Sequence, residues 1–431
     1  MAAGHRLRVA ARRAPKPTTR GARGDEGALR IAWARRHMAI LASIRSRFEE
    51  EQPFGGVRIG MALHVEAKTA NLALALAAGG ADIRLAACNP LSTDDGVAKA
   101  LAAGRKVAVR AKRDLEEKEY YANLGWVLDF QPHLLLDDGG DLGRLVHTTR
   151  RDALRGLRAI SEETTTGVMR YRAMHKAREL RVPVADANGA RMKHLFDNRY
   201  GTGQSAWEGI LRSTNLLVAG KNVVVAGYGM CGRGLAERAR GLGGLVTVTE
   251  VDPVRALEAR MDGFQVAAMA EACRKADFIV TATGCRDVVD RRHVPHLHDG
   301  AVLANAGHFD TEISRAALER DAVQVAEARE GVTAFTQRDG RVLHLLAQGR
   351  LVNLAAGQGH PAEIMDMSFA IQALALEWLA KSGRDLKPGV HQIPEALDAE
   401  VARLKLSALG LKIDNLTKEQ TRYLSGWESG T

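Results

Sequence analysis

Apolar positions along this chain fall into short continuous runs of strand length, separated by stretches in which they recur at helical spacing. Ile31, Met38, Leu41 and Ile44 have roughly helical spacing, so ordered structure is expected from about Gly27. Residues 57–63, 82–87, 106–110 and 134–136 read as strands, with helices over 68–78 and 95–103. Strands alternating with helices predict a mostly parallel, doubly wound sheet, whose ligands bind at the carboxyl ends of the strands. His64, Asn89 and Asp138 fall at such ends. A second unit begins near Gly203, with strands from Val223, Leu245, Asp277 and Gly300. A hairpin follows over 332–335 and 342–347, turning at Asp339-Gly340. Beyond Gly357-Gln-Gly-His-Pro361 come a long amphipathic helix over 364–380, a last helical segment over 396–409 and a short polar tail. The expected fold is α/β: two doubly wound parallel-sheet domains with a small C-terminal helical tail.

The second unit opens on Val223-Val-Val-Ala-Gly-Tyr-Gly-Met-Cys-Gly-Arg-Gly234, with Glu250 closing its second strand. Gly227, Gly229 and Gly232 fit G-x-G-x-x-G between a strand and a helix, with an acid about twenty residues on. Gly227 permits the tight turn, Gly229 lets a pyrophosphate approach, and Gly232 lets helix and strand pack closely. The helix N-terminus then offers N–H groups and a partial positive charge to phosphates. Glu250 would accept from ribose hydroxyls and repel a 2′-phosphate, which selects NAD over NADP, although Arg255 nearby leaves NADP open. An ordinary strand–helix turn is the plainer alternative.

Charge and composition narrow the partners. Of the net +10, residues 1–24 supply +7 from seven Lys/Arg and no acid, leaving +3 on the other 407 residues. A basic, non-periodic stretch of this kind reads as a disordered tail over 1–27, as a targeting peptide or as an over-long predicted start. No basic patch interleaved with aromatics points to nucleic acid, and no apolar run is long enough for a membrane span. The four cysteines are widely spaced, which suggests a reducing compartment, no disulfide framework and no structural zinc. A cytoplasmic location is expected, and the histidines lack metal-ligand spacing.

Six segments together resemble the S-adenosylhomocysteine hydrolases, in a short prokaryotic form. They are Leu136-Asp-Asp-Gly-Gly-Asp141, Ile160-Ser-Glu-Glu-Thr-Thr-Thr-Gly167, Lys193-His-Leu-Phe-Asp-Asn198, Val225-Ala-Gly-Tyr-Gly229, Asn305-Ala-Gly-His-Phe-Asp310 and Gly349-Arg-Leu-Val-Asn-Leu354. The resemblance runs from about residue 30 to 427. It implies a hydrolase that uses tightly held NAD as a temporary oxidant. Oxidation of a 3′-hydroxyl acidifies C4′–H, elimination expels homocysteine, water adds, and the oxidation is reversed. The implied domains are 28–195 with 358–392 for substrate, 196–357 for NAD, and 393–431 as a C-terminal segment.

By the same resemblance, Lys193 with Asp197 and Asn198 forms the base cluster at the 3′-hydroxyl, and Glu163 binds the ribose hydroxyls. Asp138 is the C4′ base, while His64 and His308 move protons at C5′. Substrate contacts would come from Glu66, Lys68, Thr69, Asn188, His360, Met365 and Phe369. Cofactor contacts would come from Thr164, Thr165, Thr166, Asn198, Tyr228, Met230, Cys231, Arg255, Thr283, Gly284, Ala306, Gly307, His308, Asn353 and His360, beside the glycines and Glu250. The implied partners are a small nucleoside substrate and further copies of the chain, as a dimer or tetramer.

The chain also departs from the family. Thr202 replaces a frequent cysteine, and Lys68 stands where a purine-contacting glutamate would sit, leaving adenine and hypoxanthine both open. Asn188-Gly-Ala190 and Met38-Ala39 differ in the substrate domain, and a Lys/Tyr-bearing tail that reaches a neighbouring subunit is missing. Three alternatives follow: an S-inosylhomocysteine hydrolase, a nucleoside dehydratase that stops after elimination and reduction, and a plain NAD-dependent dehydrogenase. A non-catalytic relative is disfavoured, since Lys193, Asp197, His64, Asp138 and His308 are all present.

Overall fold

The computed structural model describes residues 26–427, so the expected basic tail lies almost wholly outside the described residues. Six strands come first: β1 (Arg58–Leu63), β2 (Asp82–Ala87), β3 (Ala108–Arg110), β4 (Leu134–Asp137), β5 (Ala159–Glu162) and β6 (Pro183–Asp186). Eight follow: β7 (Asn222–Ala226), β8 (Leu245–Thr249), β9 (Gln265–Val266), β10 (Phe278–Thr281), β11 (Val302–Asn305), β12 (Ala322–Arg329), β13 (Val332–Gln337) and β14 (Val342–Leu346). A last strand, β15 (Gly389–Gln392), returns to the first sheet beside β6.

The first sheet runs β3-β2-β1-β4-β5-β6-β15 and every pairing in it is parallel. The second runs β9-β8-β7-β10-β11-β14-β13-β12, parallel from β9 to β14 and antiparallel beyond. Strand order reverses between β1 and β4 in one sheet and between β7 and β10 in the other. The gap such a reversal leaves at the carboxyl ends of the strands is where doubly wound sheets bind ligands.

Parallel strands are covered on both faces, so their side chains must be apolar in both directions. Ile59, Met61 and Leu63 of β1 join Leu134 and Leu136 in one core, against the helices Ala39–Glu51, Ala67–Ala78 and Ala362–Ser382. Ala62 and Leu135 point the other way, into a second core with Leu124, Val127 and Leu128. Gly60 has room for no side chain, since a Cβ would press on Val127 and Leu135. The long helix Ala362–Ser382 is buried on most sides, after the chain has left the first sheet, built the second and come back.

Four local features differ from the pattern reading. The helical spacing from Ile31 to Ile44 is shared by two helices, Glu26–Arg36 and Ala39–Glu51. They break at His37–Met38 because buried Asp366 accepts from Ile40 N (3.2 Å) and Leu41 N (2.9 Å), fixing a new helix start there. The hairpin is a three-strand meander, whose outer strand β12 is mostly exposed and so lacks an apolar signature. Residues His194–Gly201 form a π-helical stretch, and the polar tail includes a helix, Lys418–Ser425. No helix among the described residues is long and apolar enough to cross a membrane.

A distant residue holds the segment that carries Lys193. The helix Arg191–Lys193 begins at Ala190, which has no side-chain acceptor, and buried Asp398 accepts instead from Arg191 N (2.7 Å) and Met192 N (2.7 Å). Replacing Asp398 by Ala strands both donors. The expected cost is about 1–3 kcal/mol, read as a lower urea midpoint at unchanged slope; an unchanged midpoint would show the contact to be dispensable.

Candidate active site

The carboxyl ends of the two sheets face each other across a cavity of about 1140 Å³. Almost every residue expected at the site lines it. The exceptions are Tyr228 and Gly232. The Tyr228 ring packs in the core of the second domain, with its hydroxyl on Asp262 (2.6 Å), and only its backbone N–H serves the site, donating to Glu250 Oε2 (2.7 Å). Gly232 is a packing glycine, since a Cβ there would strike the carbonyl of Gly227. Asn89 also turns away, its side chain accepting from Leu91 N (2.9 Å).

Lys193 is the centre of one polar cluster. Its buried ammonium lies 3.1 Å from Asp197 Oδ1, 2.9 Å from Asn198 Oδ1 and 3.4 Å from Glu163 Oε1. The π-helical winding lets one lysine reach both its fourth and fifth successors, and such local π turns recur at functional sites. Burial opposes its charge, but Asp197 and Glu163 together outweigh burial and hold the ammonium above its ordinary range. The lysine expected to act as a base is thus shifted towards its protonated form. Asp197 is also buried, yet Lys193 and His360 keep it ionised, and it accepts from Ser368 Oγ (2.8 Å).

Glu163 takes the remaining imbalance. Burial, with Asp197 and Asp138 adding to it against Lys193, pushes its carboxyl up to about 8. Gln372 donates to one oxygen (2.5 Å), while Oε1 is buried with no hydrogen-bond partner. Asn198 extends the network through Asn188 (3.0 Å) to Thr165 Oγ1 (3.0 Å).

Asp138 is the centre of a second cluster. His64 Nε2 lies 3.5 Å from its Oδ2, and His308 Nδ1, from the second domain, lies 3.6 Å from its Oδ1. Burial pushes the His64 imidazole down to about 4 and lowers His308 as well, so both rings are neutral at neutral pH. Burial raises Asp138, and its Oδ1 has no hydrogen-bond partner. Ser92 Oγ holds His64 Nδ1 at 2.7 Å, and Cys88 Sγ lies 3.4 Å from the same nitrogen. His64, Cys88 and Asp138 thus bring three potential metal ligands within 4.8 Å of one another. Burial, reinforced by Asp138, pushes the Cys88 thiol well up.

The other half of the cavity fits a dinucleotide. Gly227 adopts φ +94°, and Gly229 starts the helix Met230–Gly241 with only Arg255 near the place of a side chain, so a phosphate can approach the backbone closely. Glu250 is aimed by Tyr228 N, Val251 N (2.7 Å) and Asp252 N (3.1 Å). At the far end, Asn353 Oδ1 is buried without a partner, while its amide nitrogen meets Ser205 Oγ (3.3 Å) and His360 Nδ1 (3.2 Å). An unpaired acceptor there suits a carboxamide N–H.

Cys88, Ser92, Gln372, Ser205 and Ser368 were not singled out from the sequence, because nothing in their neighbours marks a lone buried polar residue. Glu312 was missed for the same reason. It accepts from Thr283 N (3.0 Å) and Gly284 N (2.8 Å), shaping the loop after β10.

These features define a two-domain α/β enzyme that holds NAD on one sheet against buried acid–base clusters on the other. Residues 22–157 match the family described as S-adenosyl-L-homocysteine hydrolase, and residues 198–359 match its NAD binding domain. An S-inosyl-L-homocysteine hydrolase of Methanocaldococcus jannaschii is 54% identical over 406 residues, 94% of this chain and 97% of that protein. The adenosylhomocysteinases of Pyrococcus abyssi and Thermotoga maritima are 54% and 53% identical, each over 94% of this chain and 96% and 100% of theirs. The chain belongs to the S-adenosyl-L-homocysteine hydrolase family.

The raised Glu163 makes stability depend on pH. A carboxyl that titrates near 8 in the folded chain and at its ordinary 4.5 when unfolded keeps its proton only in the native state between those values, so its contribution to stability falls as pH rises through that window. In the protein freed of NAD, the stability of Glu163→Gln should therefore gain on the wild type from about pH 5 to about pH 8. Denaturant unfolding at several pH values measures it, and parallel profiles would contradict the assignment.

Proposed function

We propose that the protein catalyses the reversible hydrolysis of S-adenosyl-L-homocysteine to adenosine and L-homocysteine. The observation that carries this reading is the presence of two separate acid–base clusters in one cavity. Alcohol oxidation needs only the Lys193 cluster. The Asp138 cluster, with a neutral imidazole on either side, is surplus to a simple dehydrogenase and suits proton transfer at a second carbon.

Bound NAD would supply a hydride acceptor for the 3′ carbon and the hydride donor that restores it. Lys193 sits between the ribose hydroxyl and the carboxylates. Glu163, poised near 8, draws a proton from its ammonium in the fraction of molecules in which the carboxyl is ionised, freeing the amine to accept the hydroxyl proton. Asp138 removes the C4′ proton as the C5′–sulfur bond breaks, and His64 or His308 delivers a proton to the departing sulfur. The same groups, run backwards, add water at C5′. Asn353, His360 and the Thr164–Thr166 turn hold the nicotinamide end, while Glu66, Thr69, Met365 and Phe369 bound the nucleoside.

Lys68 favours a second reading of the base. Its ammonium, bound to Glu66 Oε2 (2.7 Å) and the Gln358 carbonyl (2.7 Å), offers the purine pocket a donor, which suits the carbonyl of hypoxanthine. The M. jannaschii relative, named for S-inosyl-L-homocysteine, is consistent with that preference. The dehydratase reading has less support, since of Ala39, Gly189 and Ala190 only Gly189 borders the cavity. We further propose that the protein works in the cytoplasm as a homo-oligomer. The exposed Leu411, Ile413, Leu416, Leu424 and Trp427 of the C-terminal segment support association.

NAD-loaded protein should release thiol from S-adenosyl-L-homocysteine, with no accumulation of free reduced cofactor. Comparison with S-inosyl-L-homocysteine at equal concentration decides the purine. Asp138→Asn should lower turnover by about 10²–10⁴ while 3′ oxidation persists. Absence of thiol release from either thioether would sink the proposal, and a dehydrated nucleoside as the main product would replace it.

A further inference from the structure

Two fully buried acids, Asp137 and Glu162, stand side by side at the ends of β4 and β5, one residue before Asp138 and Glu163. The reaction outlined above uses neither. Asp137 serves its own turn, accepting from Asp138 N, Leu142 N and Gly143 N and from the Tyr171 hydroxyl. Glu162 does something different. Its Oε1 alone accepts from Gly139 N (2.9 Å), Thr164 N (2.9 Å) and Thr164 Oγ1 (2.7 Å), while Oε2 is buried without a partner.

One oxygen thus ties the turn that follows Asp138 to the turn that follows Glu163. Gly139 is also where the second domain touches the first. It has φ +99°, and a Cβ there would collide with the His308 ring. Displacing Gly139 would move Asp138 against His308, and displacing Thr164 would move both Glu163 and the nicotinamide-side turn.

We propose that Glu162 is a positioning residue, which sets Asp138 relative to His308 and Glu163 by holding Gly139 and Thr164 on a single acceptor oxygen. Burial, then the neighbouring Asp137 and Asp138, keep its carboxyl well above the ordinary carboxylate range. What the two turns share is its acceptor oxygen. Glutamine supplies the same oxygen. Methionine fills a similar volume without it.

The test compares Glu162→Gln with Glu162→Met in NAD-loaded protein. Two steps are read separately: reduction of bound cofactor on adding a nucleoside, and exchange of its C4′ hydrogen with solvent deuterium. Glutamine should keep C4′ exchange within about threefold of wild type. Methionine should slow it by about a hundredfold, as expected for misplacement of a catalytic group by about 1 Å, and should slow cofactor reduction less. The choice of assay rests on the proposed reaction, so a third reading avoids it. The His308 ring resonances of the ligand-free protein, titrated by NMR, should shift in the methionine variant and not in the glutamine variant. Equal exchange in the two variants, or an unmoved His308 in both, would overturn the proposal. Wild-type protein inert towards nucleosides, with the His308 difference intact, would count against the function and not against Glu162.

Discussion

The charge on Lys193 is the term that the rest of the site must balance. An ammonium with no access to water costs several kcal/mol unless anions and hydrogen bonds surround it. Here Asp197, Asn198 and Glu163 do so, and each is held in turn by a residue from elsewhere in the chain. Ser368 fixes Asp197 and Gln372 fixes Glu163, both from the helix Ala362–Ser382, while Asp398 anchors the helix start two residues before the lysine. The Lys193 cluster and the integrity of the first domain are therefore one problem. Two acids around one ammonium would leave a negative excess, and the site relieves it by keeping a proton on Glu163 near neutrality.

In the proposed reaction, two unlike clusters in one cavity serve two kinds of proton transfer. The Lys193 cluster is charged and tightly bonded. The Asp138 cluster has longer contacts of 3.5 and 3.6 Å to two neutral imidazoles and one unpaired carboxyl oxygen. Loose contacts to neutral partners leave Asp138 free to take and give a proton. His308 is the only member of that second cluster on the NAD sheet, so the pairing of the domains completes it.

Much of this was legible from residue pattern alone. The strands β1, β4, β7, β10 and β11 carry mostly apolar runs because helices cover both their faces, and the polar residues that end those runs mark the site. His64 and Asp138 announce themselves in this way, as does Asn89, which turns away from the site, whereas Glu163 is marked only by the family resemblance. The features that stayed hidden depend on distant partners. β12 has no buried face to leave a pattern, the break before Ala39 is imposed by Asp366 more than three hundred residues away, and the π-helical winding after Lys193 has no composition of its own. The direction of the Lys193 shift was equally unreadable, because it follows from how many anions the fold gathers around one amine.

The path of the chain has a consequence for the order in which the parts can form. The second sheet is built from one uninterrupted stretch, whereas the first sheet and its core recruit the helix Ala362–Ser382, strand β15 and the helix Glu395–Ala408 from beyond it. On the ribosome, domains tend to fold as units once their residues have emerged. The half that begins first must therefore finish last: its early strands wait, with one flank uncovered, while the nucleotide-holding half completes itself. Lys193 and the residues that neutralise it, Glu163, Asp197 and Asn198, are made before the second sheet begins, but Ser368, Gln372 and Asp398, which fix this cluster in place, arrive only after it. An interrupted synthesis would yield a dinucleotide platform facing an unfinished partner.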